Sequence, residues 1–296
     1  MNKINKNYSH TYIVEKESEL LVFLLESMPN RSRNSVKSIL KRGQVAVDGR
    51  TTTQFDDPLD IGQEVNILTN QAAKRLGRLD GISIIHEDED LLVINKDAGV
   101  LSMASKSPKD RNAYRQLTDY VKFEHPSNRI FIVHRLDRDT SGVMIYAKSE
   151  AIKKKLQENW HTTMKKRLYT TLVEGDVAVE SDTISSWLNE TTTHRVYSTD
   201  HDEGGKHAVT HFKTIQSNPD YSLLEVDLET GRKNQIRVHM QYIGHPVVGD
   251  KKYGSRKNPI RRLGLHATTL KFTHPRSNQL VSYTAPVPRS FKKLIR

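Results

Sequence analysis

The sequence predicts an α+β chain: a largely antiparallel mixed sheet with flanking helices and a central cleft, preceded by a small α+β module. Three observations carry this expectation. Beyond residue 82, short apolar runs recur between clusters of Gly, Asn, Asp and Ser, the pattern of strands and hairpins. Helical periodicity is confined to a few segments among them, so no regular series of crossover helices supports a parallel sheet. A polar stretch with two glycines, NQAAKRLGRLDG at 70–81, separates this part from the one before it.

In chain order, residues 1–15 are polar and read as an N-terminal extension. A helix follows, with Leu20, Leu21, Leu24 and Leu25 on one face, Ser18 as its cap and Pro29-Asn30 as its end. Ser32 to Arg42 places Val36, Ile39 and Leu40 on one face and Arg33, Lys37 and Lys41 on another. One side therefore packs while the other forms a cationic ridge. Gly43 stops that helix, Val45 and Val47 alternate as a strand, Asp48-Gly49 makes a hairpin turn, and Leu59 to Leu68 gives another short strand with a turn at Gly62. This first module spans 16–70, and 71–81 is a linker.

The larger domain, 82–296, opens with strands over Ile82 to Ile85 and Leu91 to Ile94 around an acidic turn. A polar loop, Ser102 to Arg115, leads to a helix over Leu117 to Phe123. Apolar runs at Ile130 to Val133 and Val143 to Ala147 read as strands on either side of a polar turn, His134 to Gly142. Ser149 caps a helix bearing Ile152, Leu156 and Trp160, and Arg167 to Val173 is a strand. Residues 176–205 have poor periodicity and read as a hairpin excursion. Strands at 206–215 and 221–229, a helix from Gln235 to Ile243 stopped by Gly244, strands near 264–272 and 279–284, and a short helix opened by Pro288 complete the chain.

At 296 residues the chain can bury a sizeable core. It has no apolar stretch near the roughly eighteen residues of a membrane span, and its first residues lack the apolar core of a signal peptide, so a cytoplasmic location is expected. The absence of cysteine excludes disulfides, iron–sulfur clusters, thiolate zinc sites and thiol nucleophiles. His194, His201, His207 and His211 match no standard metal spacing, and no metal is expected. The formal charge of +11 points to a polyanionic partner, and all of the excess lies beyond residue 72.

The turn His134 to Gly142, HRLDRDTSG, sets Asp137 and Asp139 among His134, Arg135 and Arg138. Polar turns between buried strands are frequent mounts for catalytic groups, although a charge cluster can equally be a set of solvated ion pairs. Further blocks accompany it in one order: LLVINKDAGVL at 91–101, RLYTTLVEG at 167–175, TGRKNQIRVH at 230–239, GHPVVGDKKYG at 244–254 and LGLHATTLKFTHP at 263–275. Together they resemble the RluA/RluD family of RNA pseudouridine synthases over about residues 17 to 290. The first module resembles the S4 RNA-binding domain over about 17 to 69, on Ser32-Arg33, Lys37, Lys41-Arg42-Gly43, Val45, Val47 and Gly62-Gln63-Glu64-Val65.

The resemblance implies an isomerase that converts uridine within ribosomal or transfer RNA to pseudouridine, moving the glycosidic bond from N1 to C5 without metal, redox or other cofactor. It assigns the catalytic carboxylate to Asp137, as a nucleophile on C1′ or C6 or as a base toward the ribose 2′ hydrogen. Asp139 is the competing carboxylate within the turn. Arg237 is implied as the cation that holds a buried Asp137 ionised, and Tyr169 as the ring that stacks on uracil and assists proton removal from C5. His134 and Arg135 are read as bracing the loop or meeting the RNA backbone. The target must leave its stack, and Arg135 or Arg138 fills the gap or binds flanking phosphates. Arg33, Lys37, Lys41, Arg42, Arg232 and Lys233 are the remaining expected RNA contacts. The chain departs from the family pattern at Asp97, where Pro is common, at Arg167, where Lys is usual, and at Lys233-Asn234, where Thr or Ser followed by His is usual. Target choice is expected in 102–116 and 176–205, and a monomer needs no special assumption. The competing reading is a catalytically idle RNA-binding or ribosome-assembly factor on the same scaffold.

Overall fold

The structure, a computed structural model, describes residues 8–69, 79–103 and 111–295. Its N-terminal part comprises β1 (Tyr8–Ile13), β2 (Ser18–Glu19), α1 (Leu20–Ser27), α2 (Arg33–Lys41), β3 (Val45–Val47), β4 (Arg50–Thr52), β5 (Pro58–Leu59) and β6 (Glu64–Leu68). Four of these strands form an antiparallel sheet in the order β1-β6-β3-β4, and β2 pairs separately with β5. Leu20, Leu21 and Leu24 meet Val36, Ile39, Leu40, Val45, Val65 and Ile67 in one core. Ser32 caps α2 by accepting from the Ser35 N–H at 3.3 Å. The helix ends in a Schellman turn: Gly43 has φ +65°, its N–H reaches the Leu40 carbonyl, and the Gln44 N–H reaches Ile39. Asp48 and Gly49 both have positive φ, as the tight β3–β4 hairpin requires.

Residues 8–13 are therefore a strand rather than part of an extension. β1 pairs with β6 and leaves most of its side chains in solvent, so an edge position accounts for its polar composition. Ser18 is likewise not a cap, because it pairs with Leu59 in β2–β5. The first N–H groups of α1, on Leu20 and Leu21, are satisfied instead by the carbonyls of Asp57 and Phe55.

The rest of the chain is built on β7 (Ile82–Glu87), β8 (Leu91–Lys96), β9 (Phe131–Ile132), β10 (Ser141–Ala147), β11 (Met164–Glu174), β12 (Ser181–Glu190), β13 (Val196–Thr199), β14 (Lys206–Ser217), β15 (Tyr221–Leu228), β16 (Leu265–Thr273) and β17 (Leu280–Thr284). They form one sheet in the order β13-β12-β14-β15-β11-β16-β10-β8-β7, with β17 on β16 and β9 on β10. The pairings are antiparallel save one: β10 meets β16 in parallel through Ser141–His266 and Gly142–Ala267 alone. This short contact joins two antiparallel halves near the middle of the sheet. Val143, Ile145 and Ala147 enter the core on one face of β10, and Met144 and Tyr146 enter the core on the other. Burial on both faces explains why this strand reads as an unbroken apolar run.

Several expected elements shift. The run before the polar turn contributes only the two half-buried residues of β9. The helix expected from Leu117 spans Ala113–Glu124, because Asn112 caps it by accepting from the Arg115 N–H at 2.8 Å. The excursion at 176–205 is the β12–β13 hairpin at the outer end of the sheet. Most of the expected linker and half of the loop from Ser102 to Arg115 lie outside the described residues. Among the described residues no helix is long and apolar enough to cross a membrane.

The N-terminal part touches the large sheet at named points. The Gly49 turn lies so close to β7 that a Cβ there would stand 2.5 Å from the Ile84 carbonyl oxygen. Arg50 pairs with Asp97 at 2.5 Å, and Arg289 pairs with Asp60. At the sheet junction the constraint is tighter still. A Cβ on Gly142, whose φ is +118°, would stand 2.1 Å from the Ala267 oxygen. Gly142→Ala is expected to destabilise the protein by about 2 to 4 kcal/mol in chemical unfolding, through strained φ and a forced separation of β10 from β16.

Candidate active site

The loop that enters β10 is held mainly through its backbone. The Ser102 hydroxyl donates to the Leu136 carbonyl at 2.6 Å and accepts from the Leu136 N–H at 3.1 Å. The Arg138 carbonyl accepts from the Gly99 N–H at 2.9 Å and from Lys96 Nζ at 3.0 Å. Lys96 is fully buried, and its ammonium also donates to the carbonyls of Asp97 and Val100. Burial pulls it down to about 7, against the attraction of Asp139, Asp137 and Asp97. His134 Nε2 accepts from the Ile145 N–H at 3.1 Å and its ring lies 5.3 Å from that of Trp160. Burial lowers the imidazole to about 4, so at neutral pH it is an uncharged brace.

Asp137 and Arg237, a hundred residues apart, meet at 3.2 Å between Oδ2 and a terminal guanidinium nitrogen. The Gln235–Tyr242 helix supplies Arg237, and it is fastened from below by two buried residues. Gln235 donates to the Val209 carbonyl and accepts from the Arg232 N–H, and His239 bonds Thr210 and Ser186. The main partner of Arg237 is Asp250, a carboxylate almost wholly removed from solvent, which takes two of its N–H groups at 2.6 and 2.9 Å. Burial alone would weaken the guanidinium's hold on its proton, but the hydrogen bonds and charge of Asp250, joined by those of Asp137, outweigh it and raise its pKa. The nitrogen facing Asp137 also donates to Asn234 Oδ1 at 3.1 Å, and the Tyr253 ring lies 4.9 Å from the guanidinium carbon. Asn234 begins the helix with φ 55° and ψ 20°, a left-handed conformation that Asn tolerates well.

Tyr169 lies on β11, paired with Ala267 of β16 and Val226 of β15, beside the parallel junction. Burial pushes its phenol up to about 12, with the negative charge of Asp137 acting in the same direction against Arg167. The hydroxyl makes no hydrogen bond among the described residues, and neither does Asp137 Oδ1. The arrangement thus offers a carboxylate oxygen and a protonated phenol within electrostatic reach of each other, the former backed by a clamped cation. Arg167 does not enter this cluster as a free charge, since it donates to the carbonyls of Leu228 and Glu229 and lies against Gly231.

The two carboxylates of the turn have different surroundings. Asp139 is half exposed and bonds the neighbouring Arg138, whereas Asp137 faces Arg237. Arg135 is exposed and its guanidinium lies 3.8 Å from Met103 Sδ. Arg33, Lys37 and Lys41 are exposed along α2, with no ion pair among the described residues, and Arg42 caps the helix end against the Ser38 carbonyl. Arg232 donates to the His207 carbonyl, and Lys233 is committed to Glu190 at 2.5 Å. The structure brings Asp137 and Arg237 into contact and sets Tyr169 within range of the Asp137 charge; the α2 cations stand apart on the N-terminal module. Of the expected histidines, His194, His207 and His211 bond Glu190, Ser185 and Thr183.

Asp250, Tyr253 and Lys96 belong to this site and were not singled out from the sequence, and Asn234 was noted only as a departure from the family pattern. All four stand inside the blocks at 91–101, 230–239 and 244–254, but no spacing marks one Asp or Lys in such a block as the buried one. Only packing distinguishes them.

The family model for RNA pseudouridylate synthase matches residues 90–242. An uncharacterized RNA pseudouridine synthase of Bacillus subtilis (strain 168), YlyB, is 33% identical over 302 residues, spanning 100% of this chain and 98% of that protein. Ribosomal large subunit pseudouridine synthase D of Neisseria meningitidis serogroup B is 30% identical over 287 residues, 92% of this chain and 76% of that one. Among solved structures, human RNA pseudouridylate synthase domain containing 1 superposes with a TM-score of 0.56 at 26% identity, covering 69% of this chain and 83% of that one. With these matches running through the segments that build the Asp137–Arg237 cleft, the chain belongs to the RluA/RluD family of RNA pseudouridine synthases.

Proposed function

We propose that this enzyme isomerises uridine in large-subunit ribosomal RNA, with Asp137 as the reacting carboxylate, Arg237 as its cationic partner and Tyr169 as the stacking ring. The observation that carries the assignment is the 3.2 Å contact between Asp137 and an arginine already clamped by Asp250. Two carboxylates share one guanidinium, so negative charge is left on the more exposed of them, Asp137. Its second oxygen then attacks C1′ or C6, or removes the ribose 2′ hydrogen, while the bond from C1′ to N1 gives way to one from C1′ to C5. Because the phenol of Tyr169 is protonated at neutral pH, stacking and hydrogen bonding are its resting contribution, and it receives a C5 proton only after releasing its own. All substrate atoms are retained, so the reaction implies no cofactor.

The uridine reaches Asp137 only out of the helix stack, which costs about a few kcal/mol in lost stacking and pairing. Exposed Arg135 and Arg138 are the side chains placed to offset that loss. The N-terminal module acts as an S4-like RNA-binding domain through the α2 ridge, and the protein works as a cytoplasmic monomer. The ribosomal target is supported by the relatives that carry large-subunit synthase names.

Pseudouridine mapping of total RNA with and without the protein will identify the site. Asp137→Ala should abolish product while RNA affinity stays within about twofold; undiminished product would remove Asp137 from the chemistry. Asp250→Asn keeps the shape of the clamp but not its charge and should lower kcat at least tenfold with KM little changed, a loss of roughly 1.4 kcal/mol or more in transition-state stabilisation. Charge reversal at Lys37 and Lys41 should weaken RNA binding and flatten its salt dependence by about one unit of slope per lost phosphate contact; an unchanged slope would leave the ridge a solvated surface.

A further inference from the structure

The β12–β13 hairpin stands at the outer end of the sheet, yet its tip folds back onto Tyr253, whose ring also meets the catalytic arginine. The Val196 N–H donates to the Tyr253 hydroxyl at 3.3 Å, Asn234 Nδ2 donates to the same oxygen at 2.9 Å, and Lys252 Nζ donates to the His194 carbonyl at 3.1 Å. Tyr253 is fully buried, so the place of the tip is set by packing rather than by surface contacts. Three cations surround its ring: Arg237 at 4.9 Å, Lys252 at 5.7 Å and Arg195 at 6.0 Å. Arg237 is balanced by Asp250 and Asp137. Arg195 and Lys252 are exposed, and among the described residues no carboxylate pairs with either. The carboxylate at the tip, Glu190, is already taken by Lys233 and His194.

Two like charges held against one ring repel each other, and an exposed cation–π contact returns only about 0.5 to 1 kcal/mol. A phosphodiester resolves the imbalance, since a guanidinium fork and an ammonium can share its two free oxygens. We propose that Arg195 and Lys252 clamp the RNA phosphate next to the target uridine, and that the β12–β13 tip thereby helps select which RNA strand is held over Asp137. The placement rests on Asp137 as the reacting centre: Arg237, on the same ring, is the residue that touches it. A phosphate at this clamp lies against the ring that Arg237 also meets, so it is held near the catalytic pair.

The test is the double substitution Arg195→Gln/Lys252→Gln in the full chain, assayed on ribosomal RNA beside Lys122→Gln/Lys154→Gln, which removes the same charge from exposed positions on other helices. The clamp variant should raise KM about tenfold, equivalent to about 1.4 kcal/mol, leave kcat within about twofold, and lower the slope of log affinity against log salt by about one. KM and slope matching those of the charge control would overturn the clamp, as would a collapse of kcat at unchanged KM. Repeating the binding measurement in an Asp137→Ala background separates the two readings. A slope change that persists there supports the clamp by itself, whereas product formation by Asp137→Ala overturns the catalytic assignment alone.

Discussion

One guanidinium shared between two carboxylates is the interaction on which the rest of this site depends. Asp250 is buried and takes two N–H groups of Arg237, so the arginine is neutralised and aimed before any substrate arrives. Asp137 receives a single N–H from it and keeps an oxygen free. A buried ion pair adds little net stability once desolvation is counted, but removal of either partner leaves an uncompensated charge. The value of the arrangement is therefore geometric. It fixes the place of the Asp137 carboxylate at the end of a loop, as a preorganised site would.

The fold provides that geometry by joining two antiparallel half-sheets through a two-residue parallel contact at Ser141 and Gly142. The half containing β7, β8 and β10 carries Asp137 at the entrance to β10, and the half containing β11, β15 and β16 carries Tyr169 and leads to Arg237. The proposed site consequently lies where the halves meet. Lys96, Gly99 and Ser102 hold the Asp137 loop by its carbonyls, so its exposed arginines are not needed to keep it in shape. Lys96 sits deep enough for its ammonium to be drawn toward neutrality, yet three carbonyls receive it. Chain-specific features attach to this frame without entering the reactive pair. Asp97 receives Arg50 of the N-terminal module, Arg167 supports the loop before the Arg237 helix, and Asn234 bridges Arg237 to Tyr253.

Much of the local structure was legible because its causes are local. The cap at Ser149, the Gly43 stop, the Asp48-Gly49 turn and the strand at 143–147 follow from residue chemistry within a few positions. Errors fell where a partner distant in sequence overrides local preference. Tyr8–Ile13 looks like a polar tail until β6 offers it a free edge, and Ser18 looks like a cap until Leu59 draws it into a bridge. The Asn112 cap was overlooked because the apolar period that betrays a helix begins only at Leu117.

The sequence by itself determined the family and nominated Asp137, Arg237 and Tyr169 for its site, because ordered blocks of residue types survive without any knowledge of where they meet. It left Asp137 and Asp139 physically equivalent, two carboxylates in one charged turn. Tertiary structure alone decided that Arg237 is shared with Asp250, that Asp139 faces Arg138 in solvent, and that the β12–β13 tip returns to Tyr253. The physical reason is that charge–charge and hydrogen-bond energies depend on separation and burial through space. Those quantities come into being only when segments a hundred positions apart pack against one sheet.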